Sequence, residues 1–176
     1  MMMKIKKIFL NQHQYFWLIL AILLICILVL QIVAAQIRSF WEDEAYTAWL
    51  ITRNLPVLVQ NLKADVNSNP PLYWLLVFFW SKAFGTSELG IRSFSILWMT
   101  ATCLLTYKLA RDMFDERTAL TAVILLTFSP LVLTYGHNAR YYSMAAALAL
   151  LLILMMLNYI NTGRSLFLAF LSLIHI

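Results

Sequence analysis

Long apolar stretches separated by short polar connections dominate the chain and predict membrane-spanning helices. The 30 residues 8–37 carry no formal charge, whereas about 20 apolar residues are enough for a helix to cross a bilayer. Further apolar segments are predicted at about residues 70–84, 89–110, 118–135, 141–159 and from 166 onward. The predicted fold class is therefore all-α: a polytopic transmembrane helix bundle that forms a single membrane-embedded domain over residues 1–176.

Most of the unusual polar residues lie in residues 37–69, which we predict to be an outer loop with juxtamembrane helices. Within it, the spacing of small and aromatic residues favours a helix over residues 43–53. The next segment, residues 70–84, would be about 22 Å long as a helix and so too short for a ~30 Å hydrocarbon core. We expect this segment to lie at the membrane–water interface, or to enter the membrane and return on the same side. The basic loops then all fall on the side of the membrane that holds the N-terminal lysines.

Composition and charge narrow the function classes. Hydrophobic residues make up 62% of the chain and charged residues 12%, well below the roughly 25% charged of a soluble domain. The net charge of +5 comes from basic residues at the ends of apolar segments, a pattern that sets membrane topology and does not indicate nucleic-acid binding. We expect a multi-pass protein of the bacterial plasma membrane with its N-terminus in the cytoplasm.

An acidic motif, Trp41-Glu42-Asp43-Glu44, follows the first apolar run and holds three of the eight acidic residues. Carboxylates next to the membrane are costly to desolvate, by several kcal/mol each. They could lie in water as the first turn of a helix, where the helix dipole stabilises each by roughly 0.3–1 kcal/mol. They could instead be held in a cavity for chemistry, and the motif alone leaves both interpretations open.

Three other features have a structural and a functional interpretation. The string Asn69-Pro70-Pro71-Leu72-Tyr73-Trp74 fits a helix start at the membrane surface. Arg92 and Arg140, near the starts of apolar segments, could extend to lipid head groups or could bind a substrate. His137 is interpreted as a hydrogen-bonded surface group, since no spacing resembles a zinc site or a Gly-rich phosphate loop.

Taken in order, these motifs resemble the polytopic, GT-C-type glycosyltransferases that use lipid-phosphate-linked sugars. The resemblance is to dolichyl-phosphate-mannose protein mannosyltransferases (glycosyltransferase family 39) and to bacterial aminoarabinose and RgtA-like transferases. The matching residues are Trp41-x-Asp43-Glu44-Ala45-Tyr46, Asn69-Pro70-Pro71-Leu72-Tyr73, Gly85 with Glu88 and Arg92, and Ala139-Arg140-Tyr141-Tyr142 after Ser129-Pro130. The chain departs from the pattern at Asn69, where relatives often have His or Lys, and at Asn138, where many have an acid.

The resemblance implies transfer of a sugar from a polyprenyl-phosphate donor to an acceptor hydroxyl of a lipid, glycan or protein on the outer face of the membrane. It implies that Asp43 is the catalytic base and that Glu44 is its neighbour in the site. The substrate-binding residues that it implies are Arg92, Arg140, Asn69, Pro70, Pro71, Tyr73 and Tyr141. The resemblance implies no metal ligand, and it leaves open whether a divalent cation takes part.

A non-enzymatic membrane bundle, such as a segment of a transporter or lipid flippase, is the alternative. That class predicts charges near mid-span and paired broken helices, whereas here the charges lie at helix ends. Since the last apolar segment reaches Ile176 after only about ten residues, too few to span, we expect the N-terminal part of a longer transferase. The isolated polypeptide would then be inactive.

Overall fold

The computed structural model describes residues 2–64 and 71–163, with side chains described from residue 14 onward. Within these ranges the chain forms eight helices and no strand, which confirms the all-α prediction. The helices are α1 (Met2–Ile37), α2 (Glu42–Ile51), α3 (Leu55–Ala64), α4 (Pro71–Phe84), α5 (Glu88–Met113), α6 (Glu116–Thr127), α7 (Pro130–Tyr135) and α8 (Tyr142–Thr162). Asn69, Pro70 and the apolar segment predicted from residue 166 lie outside the described residues.

Three helices of the described part are long and apolar enough to cross a membrane: Gln14–Ile37 of α1, then α5 and α8. Helix α4 is not one of them, because its 14 residues extend only about 21 Å at 1.5 Å per residue. The expectation that residues 70–84 do not cross agrees with this length and stays a prediction.

Helices α1 and α5 pack antiparallel and define the two ends of the bundle. At one end the Trp17 and Tyr107 rings lie 5.9 Å apart between their centroids. At the other end the guanidinium of Arg92 reaches the main chain where α1 terminates, 2.6 Å from the carbonyl oxygen of Ala35. We call these the Tyr107 end and the Arg92 end.

The chain returns from the Tyr107 end through α6 and α7, which are separated by a proline break. Helix α6 ends at Thr127, and α7 begins at Pro130 with Ser129 before it. Proline is favoured in the first helical turn because its missing N–H has no partner to lose there. Pro130 therefore separates α6 from α7 within the single apolar segment predicted over residues 118–135.

Two apolar clusters hold the bundle together. One lies among α1, α5 and α6 and includes Ile27, Cys103 and Val123. The other lies at the Arg92 end, where α2 and α4 pack against α5 through Leu50, Trp74 and Phe94 among others. The second cluster holds α2 and α4 against the start of α5. The acids of α2 therefore lie at the Arg92 end.

Candidate functional site

A buried ion pair between Glu44 and Arg92 lies at the centre of the Arg92 end. The Nε of Arg92 donates to Oε1 of Glu44 at 2.9 Å and its Nη2 donates to Oε2 at 2.6 Å. Both side chains are only 1% exposed. Such a pair offsets the cost of desolvating two charges only when its remaining hydrogen-bonding groups are also satisfied.

The remaining donors of Arg92 are satisfied by the end of α1. Its Nη1 donates to the carbonyl oxygens of Ala35 and Arg38, each at 2.6 Å. Its Nη2 donates to the carbonyl oxygen of Ser39 at 3.3 Å. The last carbonyls of a helix have no partner within the helix, and a guanidinium has five N–H donors in all. Arg92 therefore closes the end of α1 and uses all five donors within the protein.

The loop between α7 and α8 is held by the same pair and its neighbours. The main-chain N–H of Ala139 donates to Oε1 of Glu44 at 2.7 Å. From the same face of α2, the hydroxyl of Thr47 donates to the carbonyl oxygen of Ala139 at 2.9 Å. At the start of α8, the Ser143 hydroxyl donates to the carbonyl of Gly136 at 2.8 Å. These contacts fix the main chain on both sides of Arg140.

Asp43 points away from the buried pair, toward Arg140. Its side chain is 42% exposed, and its Oδ2 lies 3.8 Å from Nη2 of Arg140. The guanidinium carbon of Arg140 lies 5.8 Å from the ring centroid of Trp74 and 5.7 Å from that of Tyr141. Asp43 is thus a reachable carboxylate beside a cation that two aromatic rings flank.

Helix α4 forms the wall behind Arg140. Pro71 is its first residue, and Tyr73 and Trp74 are buried. Burial raises the pKa of the Tyr73 hydroxyl above its ordinary value, so that the group is a neutral phenol at neutral pH. The indole N–H of Trp74 is buried and has no hydrogen-bond partner in the described part of the chain. Trp74 is fully buried, so its ring packs behind Arg140 and is not open to a bound molecule.

The structure therefore brings most of the site residues predicted from the sequence to one end of the bundle. Asp43, Arg140 and Tyr141 form one group, with Pro71 and Tyr73 on the adjoining helix. Glu44 and Arg92 form the buried pair next to it. Asn69 and Pro70 fall outside the described residues, and the catalytic and substrate-binding roles all stay predictions.

A cavity of about 280 Å³ opens on the Glu44 side of this end. Its lining residues are Arg38, Ser39, Trp41, Glu44, Arg92, Thr134, Tyr135, His137 and Asn138. A second cavity of about 210 Å³ is lined by Ala34, Ile37, Arg38, Leu133, Thr134 and His137. The two share Arg38, Thr134 and His137, and neither is lined by Asp43 or Arg140.

His137 differs from its predicted place, because it is buried and not at the surface. Its Nδ1 lies 3.1 Å from Oε1 of Gln31, and Nε2 of Gln31 donates to the carbonyl of Val132 at 2.8 Å. Since that carbonyl fixes the Gln31 amide, Oε1 accepts and Nδ1 of His137 carries the proton. Burial lowers the pKa of His137, and the charge of Arg92 lowers it further. The imidazole is therefore neutral at neutral pH.

Sequence reasoning missed Gln31, which crosses from α1 to the loop after α7. A signal was present, because Gln31 is a polar residue within an uncharged apolar span, and such a residue usually faces a polar partner inside the bundle. Arg38, which lines both cavities, was also missed. Nothing in its sequence context separates it from an arginine that ends a membrane span.

The described part of the chain contains no cluster of metal-ligating side chains. No group of three or more His, Cys, Asp or Glu side chains comes together there that could hold an ion. The acids at the Arg92 end face arginines instead, Glu44 at 2.6 Å from Arg92 and Asp43 at 3.8 Å from Arg140.

Helices long and apolar enough to cross a membrane, with charged side chains gathered at one end of the bundle, define an integral membrane protein. The chain belongs to the dolichyl-phosphate-mannose-protein mannosyltransferase family, whose sequence model matches residues 68–174, more than half of its length. This confirms the family resemblance. The matched segment contains Arg92 and Arg140 and begins after the acidic motif, so it does not bear on Asp43 or Glu44.

A curated relative matches a similar length of the chain. It is an "Uncharacterized protein" of Aquifex aeolicus (strain VF5), 35% identical over 107 residues, which are 60% of this chain. The chain covers 20% of the length of that relative. No solved structure matches the chain.

Proposed function

We propose that this chain is part of a membrane glycosyltransferase that moves a sugar from a polyprenyl-phosphate carrier to an acceptor hydroxyl on the outer face of the membrane. The observation that carries the proposal is the 3.8 Å approach of the exposed Asp43 carboxylate to the guanidinium of Arg140. A base and a cation are what transfer from a phosphate leaving group requires. Membership of a mannosyltransferase family supports the same reaction class.

The proposed reaction is an inverting displacement at the anomeric carbon. Asp43 takes the proton of the acceptor hydroxyl as its oxygen bonds to that carbon, and the bond from the carbon to the phosphate oxygen breaks. The electron pair of the broken bond leaves with the phosphate, so no strong acid is needed. Asp43 suits the part of base because it is 42% exposed, and a base must come within hydrogen-bond reach of the proton that it removes.

Arg140 is proposed to hold the departing phosphate, since a guanidinium matches the geometry of phosphate oxygens. Its side chain is 11% exposed, and its guanidinium lies beside the rings of Trp74 and Tyr141. Arg92 was expected to share this task, but all its donors are used by Glu44 and by the end of α1. We therefore assign Arg92 and Glu44 to positioning, and Asp43 and Arg140 to contact with substrate.

The outer-face assignment rests on charge. The N-terminal lysines and the basic connection between α5 and α6 lie away from the Arg92 end, and basic segments that directly flank membrane spans normally lie on the cytoplasmic side. The same distribution argues against the transporter alternative, because the charged site lies at the end of the bundle and not at mid-span.

The proposal is tested by replacing Asp43 in the complete gene product. We expect Asp43→Asn to lower sugar transfer from a labelled polyprenyl-phosphate donor by about 10²-fold or more, the typical share of a general base. Transfer is followed in isolated membranes as label that moves from the carrier lipid to other envelope material.

Glu42→Gln is the matched control, since Glu42 is an exposed acid in the same first turn of α2. Both variants should reach the membrane in wild-type amounts, and Glu42→Gln should keep wild-type transfer. Near-normal transfer by Asp43→Asn would refute the proposal that Asp43 is the catalytic base. Donor-independent movement of lipid across the membrane, without transfer, would instead favour the transporter class.

A further inference from the structure

Gln31 is a buried polar side chain in the first membrane span, and the proposed reaction does not use it. It is only 1% exposed, although its neighbours along α1 are apolar. A polar group inside a membrane span is costly and normally faces a specific partner within the bundle. The partners of Gln31 lie 101 and 106 residues later in the chain, at the end of α7 and in the loop that follows it.

Both ends of the Gln31 amide are used in these contacts. Its Nε2 donates to the carbonyl oxygen of Val132 at 2.8 Å, and its Oε1 lies 3.1 Å from Nδ1 of His137. The packing at this point is tight, because a Cβ on Gly136 would come within 2.8 Å of the same Nε2. One side chain of α1 thus holds both the last turn of α7 and the residues directly after it.

The loop between α7 and α8 carries Arg140, and we call residues 136–141 the Arg140 loop. Its later part is held by two other helices. Helix α2 makes two hydrogen bonds to the main chain of Ala139, and the Ser95 hydroxyl of α5 donates to the carbonyl oxygen of Arg140 at 3.4 Å. Gln31 adds a contact from α1 at the beginning of the loop. The main chain that carries Arg140 is therefore held from both directions.

We propose that Gln31 is a positioning residue for sugar transfer, which fixes the start of the Arg140 loop and thereby sets where the Arg140 guanidinium lies. This inference rests on the proposed function, in which Arg140 holds the departing phosphate. Asp43 and Arg140 lie on different elements, 3.8 Å apart, so their separation depends on how the loop is held. A displacement of about 1 Å between reacting groups can lower a rate by roughly 100-fold.

Gln31→Met removes both hydrogen bonds and nearly keeps the volume of the side chain. The protein should still insert and fold, since methionine suits a membrane span and the Val132 carbonyl keeps its main-chain bond from Gly136 at 2.8 Å. Ser81→Ala is the matched control. Ser81 is also buried, but its hydroxyl donates within its own helix, to the carbonyl of Phe78 at 2.7 Å. The control thus loses a buried hydrogen bond that does not involve the loop.

The first measurement is hydrogen exchange of main-chain amides, followed by mass spectrometry on the complete gene product in nanodiscs. Peptides that cover residues 136–141 should exchange about threefold or more faster in Gln31→Met, the factor expected when one or two hydrogen bonds are lost. The same peptides should exchange at the wild-type rate in Ser81→Ala. Equal exchange by Gln31→Met and wild type overturns the proposal.

The second measurement is single-turnover transfer at varied concentrations of a labelled polyprenyl-phosphate sugar donor. The maximal rate should fall about tenfold or more in Gln31→Met, with a smaller change in the half-saturating donor concentration. A cation on a departing phosphate acts chiefly on charge that develops in the transition state. In an Arg140→Gln background, Gln31→Met should lower the rate by no more than about twofold further, because its effect passes through Arg140.

Faster exchange in the loop together with this non-additive loss of rate supports the proposal. If the losses of Gln31→Met and Arg140→Gln multiply, Gln31 acts on the fold as a whole, and the proposal is overturned. A weaker apparent affinity for the donor with an unchanged maximal rate overturns it as well. Absence of transfer by the wild type would instead refute the proposed function, and the exchange rates would still decide whether Gln31 holds the Arg140 loop.

Discussion

Replacing Glu44 by Gln separates a positioning role of the buried ion pair from a catalytic one. The substitution keeps the size of the side chain and removes its charge. Glu44 now accepts three hydrogen bonds, two from Arg92 and one from the N–H of Ala139. A glutamine amide offers one accepting oxygen, and its NH₂ would face another donor. Arg92 would then keep a positive charge at 1% exposure, and the nearest remaining carboxylate would be that of the half-exposed Glu88, 3.8 Å from its Nη1.

The expected loss of stability follows from this burial. Removing one partner of a buried pair costs about 3–5 kcal/mol. For a chain of this size each kcal/mol corresponds to roughly 2–4 °C, so the melting temperature of Glu44→Gln should fall by about 6–20 °C. The assay is heating in detergent followed by size-exclusion chromatography of the protein that stays dispersed.

Glu88→Gln is the control, since Glu88 also lies near Arg92, 3.8 Å from Nη1, but is 48% exposed. An exposed pair contributes about 0–1 kcal/mol, so this variant should melt within about 4 °C of wild type. If Glu44→Gln melts like Glu88→Gln while it abolishes sugar transfer, the assignment of Glu44 to positioning is refuted, and Glu44 acts in the chemistry.

Three further predictions concern topology, packing and pH. In a background without the native cysteines, Ser87→Cys and Asp115→Cys should react with impermeant thiol reagents from opposite sides of the membrane. Labelling of Asp115→Cys from outside the cell would contradict the proposed orientation. Gly136→Ala should lower the melting temperature, because its Cβ would lie 2.6 Å from the carbonyl of Val132; an unchanged value would mean that the loop can shift. The folded pKa of His137 lies below its ordinary 6.5, so the unfolded chain binds this proton more readily and stability should fall as pH drops through 6.5. The melting temperature of His137→Gln should depend less on pH in that range, and identical pH profiles would contradict the reasoning.

The helices, the proline break and the clustering of charges at one end could all be predicted from the sequence. Apolar runs longer than a bilayer specify spans, and Pro130 specifies where α6 cannot continue. The antiparallel course of successive spans then brings residues at alternate connections to the same end. This is why Asp43, Arg92 and Arg140 could be expected near one another, although they are far apart in the chain.

The sequence could not distinguish the roles of Asp43 and Glu44. Successive residues of a helix point about 100° apart, since 3.6 residues make one turn, so only one of two adjacent acids can face the bundle. Which one does so depends on how α2 rotates against α5, and that is decided by apolar contacts such as Leu50 with the core cluster. The tasks of Arg92 also depend on tertiary contacts, because its acceptors lie 48 to 57 residues away in the chain.

The hydrogen bonds from Arg92 to the end of α1 link two spans that are made at different times during synthesis. The carbonyls of Ala35 and Arg38 have no side-chain donor until α5 is made, since Arg92 follows them by 57 and 54 residues. Without Arg92, burial of the Glu44 carboxylate would leave an unpaired charge in the bundle, which costs several kcal/mol. Glu44 is therefore expected to enter the bundle only together with α5. Insertion of the second long span is thus the event that assembles the site.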